Sequence, residues 1–196
     1  MTKHELKETR LTQIIEAAIQ EFIERGFHTA SLRSIADRAG ISKGGIYHHF
    51  RSKDEILIEV NNRFIMGPIN RFMGEARAEK SPLFGLTHFI ENYLTFWSQH
   101  PREMVFIFLS LAKFLDTPEL WPEMDGYAQY MISFYEELLS NGIEAGEFEP
   151  HDCRGRATIL FSSIDGIIGY IVMSQAIDTR ETIRQFIDLF IKGIEK

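Results

Sequence analysis

Apolar residues recur at intervals of three and four along almost the whole chain, and nowhere do they alternate with polar residues for the length of a strand. Ile14, Ala17, Ala18, Phe22 and Ile23 share one face, which predicts an amphipathic helix over residues 8–25 with Gly26 as its left-handed stop. Ser31 is placed to cap a short second helix to Ala39, Gly40-Ile41 to turn, and Ser42 to cap a third ending near Phe50. Ser52-Lys53-Asp54-Glu55 reads as a capping box opening a longer fourth helix, which Gly67-Pro68 should kink or interrupt. Ser81-Pro82 and Thr117-Pro118 each read as an N-cap followed by a first-turn proline, and His100-Pro101 breaks the segment between them. Glu149-Pro150-His151-Asp152 is a loop. Asp178 with Glu181 starts a final helix carrying Ile183, Phe186, Ile187, Phe190, Ile191 and Ile194. The expectation is an all-α protein of about nine helices, with a three-helix head at residues 1–53 and a helical bundle at 54–196.

Composition narrows the class. Apolar residues at 44% and charged residues at 25% exclude a disordered chain. No apolar run reaches the about 18 to 20 uncharged residues of a membrane span. The first residues lack a signal-peptide core, and the lone Cys153 has no partner for an internal disulfide. The expected location is therefore cytoplasmic, with no membrane partner. The net charge of −7 is unevenly spread. Residues 1–53 carry nine Lys and Arg against six Asp and Glu, whereas residues 54–196 carry twelve against 22. A cationic head on an acidic body confines attraction for phosphate to one end.

The head supplies the candidate chemistry. Two short helices joined by a glycine turn have the helix-turn-helix arrangement, with Ala36 small at the crossing and Ile35 and Ile46 fixing the angle. On spacing alone an ordinary helical hairpin is the alternative. The third helix, Ser42-Lys43-Gly44-Gly45-Ile46-Tyr47-His48-His49-Phe50, decides between them. Each interior glycine costs about 1 kcal/mol of helix stability, so two of them near its start make sense where backbone must approach DNA. Tyr47 and His48 fall on the outward face, where they can donate to phosphate, and adjacent histidines diverge too far to share a metal.

The stretch Gly26–Ala36, then Ala39–Phe50, then Ser52–Glu55 resembles the tetracycline-repressor (TetR) family. The resemblance implies an all-helical homodimer with two reading heads, usually a repressor of a palindromic double-stranded DNA operator that a small ligand releases. It further implies that Lys43, Gly44, Gly45 and His48 face base edges, while Thr29, Ser31, Ser42, Tyr47 and Lys53 hold phosphates. Gly45 stands where the family often has threonine or alanine, which removes a possible methyl contact to thymine.

Residues 84–135 are crowded with aromatic and Met side chains, a composition that suits an adaptable apolar cavity as well as plain core. Tyr93, Trp97, Phe108, Met131 and Phe134 are the candidate lining of a site for a small hydrophobic or aromatic effector. Asp165 interrupts an apolar run, either to bind a cationic effector or to pair with an Arg or hydroxyl inside the fold, and the Asp-Gly pattern of the resembling family favours the second. Ser162, Gly166, Gly169 and Met173 form a small-residue stripe that, with Phe186 and Phe190 of the last helix, offers a four-helix homodimer interface. No phosphate-cradling loop, metal-spaced His/Cys cluster, nucleophile motif or cofactor motif occurs, so the expected protein is not an enzyme and needs no cofactor.

Overall fold

The computed structural model describes residues 3–174 and 177–196. Its order is α1 (Lys3–Thr29), α2 (Leu32–Arg38), α3 (Lys43–His49), α4 (Lys53–Val60), a π-helical turn (Asn61–Ile65), α5 (Met66–Ala78), α6 (Pro82–Ser98), α7 (Pro101–Leu115), a 3-10 turn (Pro118–Leu120), α8 (Trp121–Glu144), α9 (Cys153–Met173) and α10 (Thr179–Lys192). Among the described residues there is no strand, only one bridging pair, Phe148 with Glu195. No helix is long and apolar enough to cross a membrane, again among the described residues. The all-α expectation holds, and the predicted number of nine is met when α4, the π turn and α5 count as one interrupted helix. The interruption begins before Gly67-Pro68. Proline cannot donate to a carbonyl four residues back and its ring crowds that carbonyl, and the wide turn just before it, in which the Met66 amide donates to Asn61, loosens this stretch.

The chain forms two compact units that differ from the expected division at 53/54. One comprises Met1–Gly67 with Val105–Trp121, the other Pro68–Met104 with Pro122–Lys196. In the first, the later part of α7 packs against the head. Phe106 stacks on Phe22 at 6.3 Å between ring centres, and the Lys113 ammonium lies 4.9 Å from the centre of the Phe27 ring. These contacts join residues about 85 positions apart, which no local pattern announces.

Within the head, α1 buries Leu11, Ile14, Ile15, Ala18 and Phe22 on one stripe. Ala36 and Ile35 of α2 and Ile46 of α3 complete that core, each at most 1% exposed. Ser31 caps α2 reciprocally: its hydroxyl accepts the Ser34 amide at 3.0 Å, and the Ser34 hydroxyl accepts the Ser31 amide at 3.0 Å. Ser42 caps α3 by accepting the Gly45 amide at 3.1 Å. Ser52 accepts the Glu55 amide at 3.1 Å, but the Glu55 carboxylate reaches back to the Arg51 amide, one residue earlier than a capping box predicts. Gly40 takes φ +67° in the turn, where a side chain would be strained. Gly26 has φ +74° but ψ 157°, so it kinks α1 and lets one more turn form, where a full stop was expected.

One ion pair ties α2 to α1. Glu21 is only 2% exposed, and the Arg38 guanidinium donates to it at 2.8 Å while also reaching Glu24 and Gln20. Burial pushes the Glu21 carboxyl up, yet Arg38, Ser34 and Arg25 outweigh that and hold it below its ordinary value. Arg38→Ala is expected to destabilise the protein by about 2–3 kcal/mol in denaturant unfolding, because a buried carboxylate loses its counter-charge. Lys at this position should restore only part, since one ammonium cannot reproduce the guanidinium's several donors. The lowered Glu21 value means this contribution is present above pH about 4.5 and fades as pH falls further, so wild type and Arg38→Ala should converge in acid.

Candidate nucleic-acid interface and effector site

The third helix presents its chemistry outward. Ser42, Lys43, Gly44, Tyr47 and His48 are exposed, Tyr47 at 50%, while Ile46 between them is fully buried. Burying Ile46 fixes the helix's rotation, so the residues flanking it in sequence project to solvent. A Cβ built on Gly44 meets nothing within 4 Å, so the fold itself does not require glycine there. On Gly45 a Cβ would lie 3.3 Å from the Ser42 hydroxyl, close against the cap. Thr29 and Ser31 are exposed at the junction of α1 and α2, the Ser31 hydroxyl being engaged in its cap.

Lys53 is placed differently from the other eight predicted DNA contacts. Its ammonium turns inward, donating to the carbonyls of Phe27 at 2.6 Å and His28 at 3.2 Å, with the Phe27 ring centre 4.8 Å away. Burial lowers its pKa, Asp54 opposes that, and Lys113 adds to the lowering. His49 is half-buried, and desolvation, reinforced by His48, Lys7 and Arg10, keeps it below its ordinary value. Lys7 and Arg10 of α1, both exposed, thus add positive potential beside the end of α3. Sequence reasoning passed over them, although two cations three apart on the polar face of a helix mark a charged ridge.

In the second unit, α6 and α8 bring together most of the predicted effector residues. Tyr93, Trp97, Met131 and Phe134 are each at most 4% exposed. Phe89 links them, 5.5 Å from Tyr93 and 4.7 Å from Phe134 between ring centres. Phe108 is half-buried and belongs to the other unit. Two residues the sequence reading did not select, Tyr127 and Tyr135, complete it. They flank Met131 four residues to either side on one face of α8, with Phe134 seven residues from Tyr127, the helical spacing that identifies them. The Tyr93 and Tyr127 hydroxyls are 3.2 Å apart. The buried Tyr135 hydroxyl and Trp97 Nε1 have no hydrogen-bond partner among the described residues.

Asp165 stands on α9 one turn beyond Phe161, whose ring meets that of Tyr127 at 6.0 Å. Its negative charge bears on Tyr93, Tyr127 and Tyr135. Asp165 is exposed in the single chain, yet desolvation by the surrounding protein raises its carboxyl to about 6. The expected internal pairing is not made: no cation or hydroxyl is bonded to Asp165 among the described residues, and burial is the sole cause of its shift. The small-residue stripe is also only partly as expected. Ser162, Gly166 and Met173 are exposed, but Gly169 is covered by its own chain. The surface they mark is extended by Ile159, Tyr170 and Leu189, all more than 60% exposed. Beside it an open apolar groove of about 230 Å³ is lined by Ile159, Phe186, Leu189 and Phe190 among others.

A short capped helix with an exposed polar face, set on a three-helix head and followed by an aromatic helical body, defines a helix-turn-helix DNA-binding protein. Residues 14–60 match the profile "Bacterial regulatory proteins, tetR family", and residues 97–196 match "QacR-like protein, C-terminal region". The chain belongs to the tetR family of bacterial regulatory proteins. It is similar to the HTH-type transcriptional repressor KstR2 of Mycobacterium tuberculosis, 29% identical over 143 residues, 72% of this chain and 70% of that protein. It is similar along nearly its full length to the fatty acid metabolism regulator protein of Bacillus subtilis, 25% identical over 190 residues, 96% of this chain and 97% of that protein. The crystal structure of a FadR regulator from Bacillus subtilis in complex with stearoyl-CoA shares its fold at a TM-score of 0.81 and 24% identity, covering 94% of this chain and 99% of that one.

Asp165→Asn should raise the melting temperature above pH 6, where the folded chain carries the penalty of an ionised, poorly solvated carboxylate. Because the folded pKa lies above the ordinary 3.8, this gain should shrink as pH falls from about 6 to 4 and vanish below. Thermal unfolding across pH 4–8 checks it, and a variant less stable than wild type at pH 8 would contradict the unpaired state of Asp165.

Proposed function

We propose that the protein is a ligand-responsive transcriptional repressor that binds a palindromic operator as a homodimer and is released by a small effector with a large apolar part. The observation that carries this reading is the outward face of α3, where Lys43, Gly44, Tyr47 and His48 stand exposed around a buried Ile46. Lys43, His48 and the backbone at Gly44 and Gly45 meet base edges in the major groove, while Thr29, Ser31, Ser42 and Tyr47 hold phosphates. Lys53 supports the head from within, by binding the last carbonyls of α1. The effector enters the aromatic cluster of α6 and α8, and the exposed apolar surface of α9 and α10, with the half-buried Phe186 and Phe190 beside it, meets a second copy. The kinship with KstR2, a named repressor, supports the sign of regulation.

Selection of bound DNA from a random pool by the full-length protein, with and without apolar and amphiphilic ligands, tests the reading. An inverted-repeat consensus that ligand abolishes is the expected result, and no enriched sequence sinks it. Gly44→Ala separates recognition from folding. Alanine finds open space there, so the head should gain about 0.5–1 kcal/mol of stability. Operator affinity should nevertheless fall, because the added methyl stands between backbone and base edges. Lys53→Ala should leave the salt slope of DNA binding unchanged, since a lost phosphate contact would lower it by about one unit.

A further inference from the structure

Resting on the reading that α3 enters the major groove, we propose that each operator half-site is specified through hydrogen-bond acceptor edges. Lys43 reads a guanine, and His48 reads a second guanine or a thymine about two base-pair steps away. The inference starts from what α3 lacks. Between Ala39 and Ser52 the chain has no Asp, Glu, Asn or Gln. Adenine is recognised by a side-chain amide that donates to N7 and accepts from the N6 amino group, and cytosine by a carboxylate that accepts from N4. Neither kind of partner exists on this helix. The carboxylates on either side of it are engaged elsewhere. Asp37 lies 4.0 Å from the Arg33 guanidinium, Asp54 lies 4.0 Å from the Lys113 ammonium, and Glu55 accepts the Arg51 amide at 2.7 Å.

What α3 presents is donors. Lys43 is exposed, and its ammonium offers N–H groups and accepts nothing. Other cations of the same unit are taken up internally: Arg38 by Glu21 at 2.8 Å, Arg63 by Glu8 at 2.8 Å and Lys53 by the Phe27 carbonyl at 2.6 Å. Lys43 makes no hydrogen bond or ion pair among the described residues. Guanine suits such a side chain, because its O6 and N7 acceptors lie side by side in the major groove. His48 is exposed, and its ring stands edge-on to that of the half-buried His49 at 5.5 Å between centres, a contact that narrows its choice of orientation. Its ring N–H donates equally well to a guanine or to thymine O4. The Ser42 hydroxyl already accepts the Gly45 amide at 3.1 Å and remains a donor. Spacing follows from the helix. Five residues separate Lys43 from His48, about 7.5 Å along the axis, or about two steps of 3.4 Å in the duplex. Gly44 stands between them with open space where a Cβ would lie, so base pairs facing it meet backbone and are the tolerant positions of the half-site.

Selection from a random pool by the full-length protein, followed by affinity measurements on the selected operator, tests the assignment. The half-site should contain a fixed G·C pair whose replacement by 7-deazaguanine, which lacks the N7 acceptor, weakens binding about tenfold. Lys43→Ala should lose the preference at that pair alone, and the deaza replacement should then cost nothing more. Lys43→Gln should exchange guanine for adenine at the same position and leave the one read by His48 unchanged, because a carboxamide matches adenine. The deaza operator with wild-type protein keeps the test decisive where a variant fails to fold. A consensus without a fixed G·C pair, or full affinity for the deaza operator, overturns the assignment and leaves the repressor reading standing. So does a Lys43→Ala variant that selects the same consensus with a salt slope lower by about one unit, which would make Lys43 a phosphate contact. Absence of any enriched sequence overturns both.

Discussion

The reading of DNA depends on the angle at which α3 leaves the head, and that angle rests on the buried pair between Glu21 and Arg38. The third helix cannot hold itself. It has seven residues, two of them glycine, and its own hydrogen bonds amount to about two turns. Its position is borrowed from α2 through Ala36, Ile35 and Ile46, and α2 is in turn tied to α1 by the guanidinium that spans Glu21, Glu24 and Gln20. An apolar replacement could fill that volume. It could not fix direction, because a guanidinium fork admits few geometries and a hydrophobic contact admits many.

What was legible in the chain was whatever lies within one turn of its own cause. Ser31, Ser42, Ser81 and Asp178 all cap as expected, since each needs only an amide three residues ahead. The stripes of α1 and α10 followed for the same reason. What was hidden is non-local. Arg38 and Glu21 lie 17 residues apart on different helices, and nothing in either segment marks the other. Phe106 and Lys113 join the head only because α7 folds back onto it, so a boundary drawn from the local helix pattern at residue 53 separated parts that pack together. Lys53 shows a subtler limit. Its position in the resembling stretch pointed outward to phosphate, whereas the open carbonyls left by the kink at Gly26 give its ammonium nearer partners.

In the second unit the aromatic rings do two things at once. Phe89, Phe134 and Tyr135 meet tilted and edge-on at 4.7 to 5.6 Å, the arrangement that stabilises a core. Their polar ends are treated otherwise. A core selected for stability alone would use phenylalanine where a tyrosine hydroxyl finds no partner, because an unmade hydrogen bond costs about 1–3 kcal/mol. Tyr135 and Trp97 both carry that cost in the free protein. Sequence alone offered Trp97 and Phe134 as apolar lining and passed over Tyr135, since patterning registers the ring and not the fate of its polar atom.

Two carboxylates, Glu21 and Asp165, show the contrast. Glu21 is covered and neutralised by its own chain, and its proton affinity is lowered accordingly. Asp165 is exposed in the single chain and has no counter-charge among the described residues, and desolvation raises its proton affinity. A head that must hold one geometry closes its charge with an internal partner. An exposed carboxylate on the body needs no such partner, because water supplies part of the solvation that Arg38 supplies to Glu21.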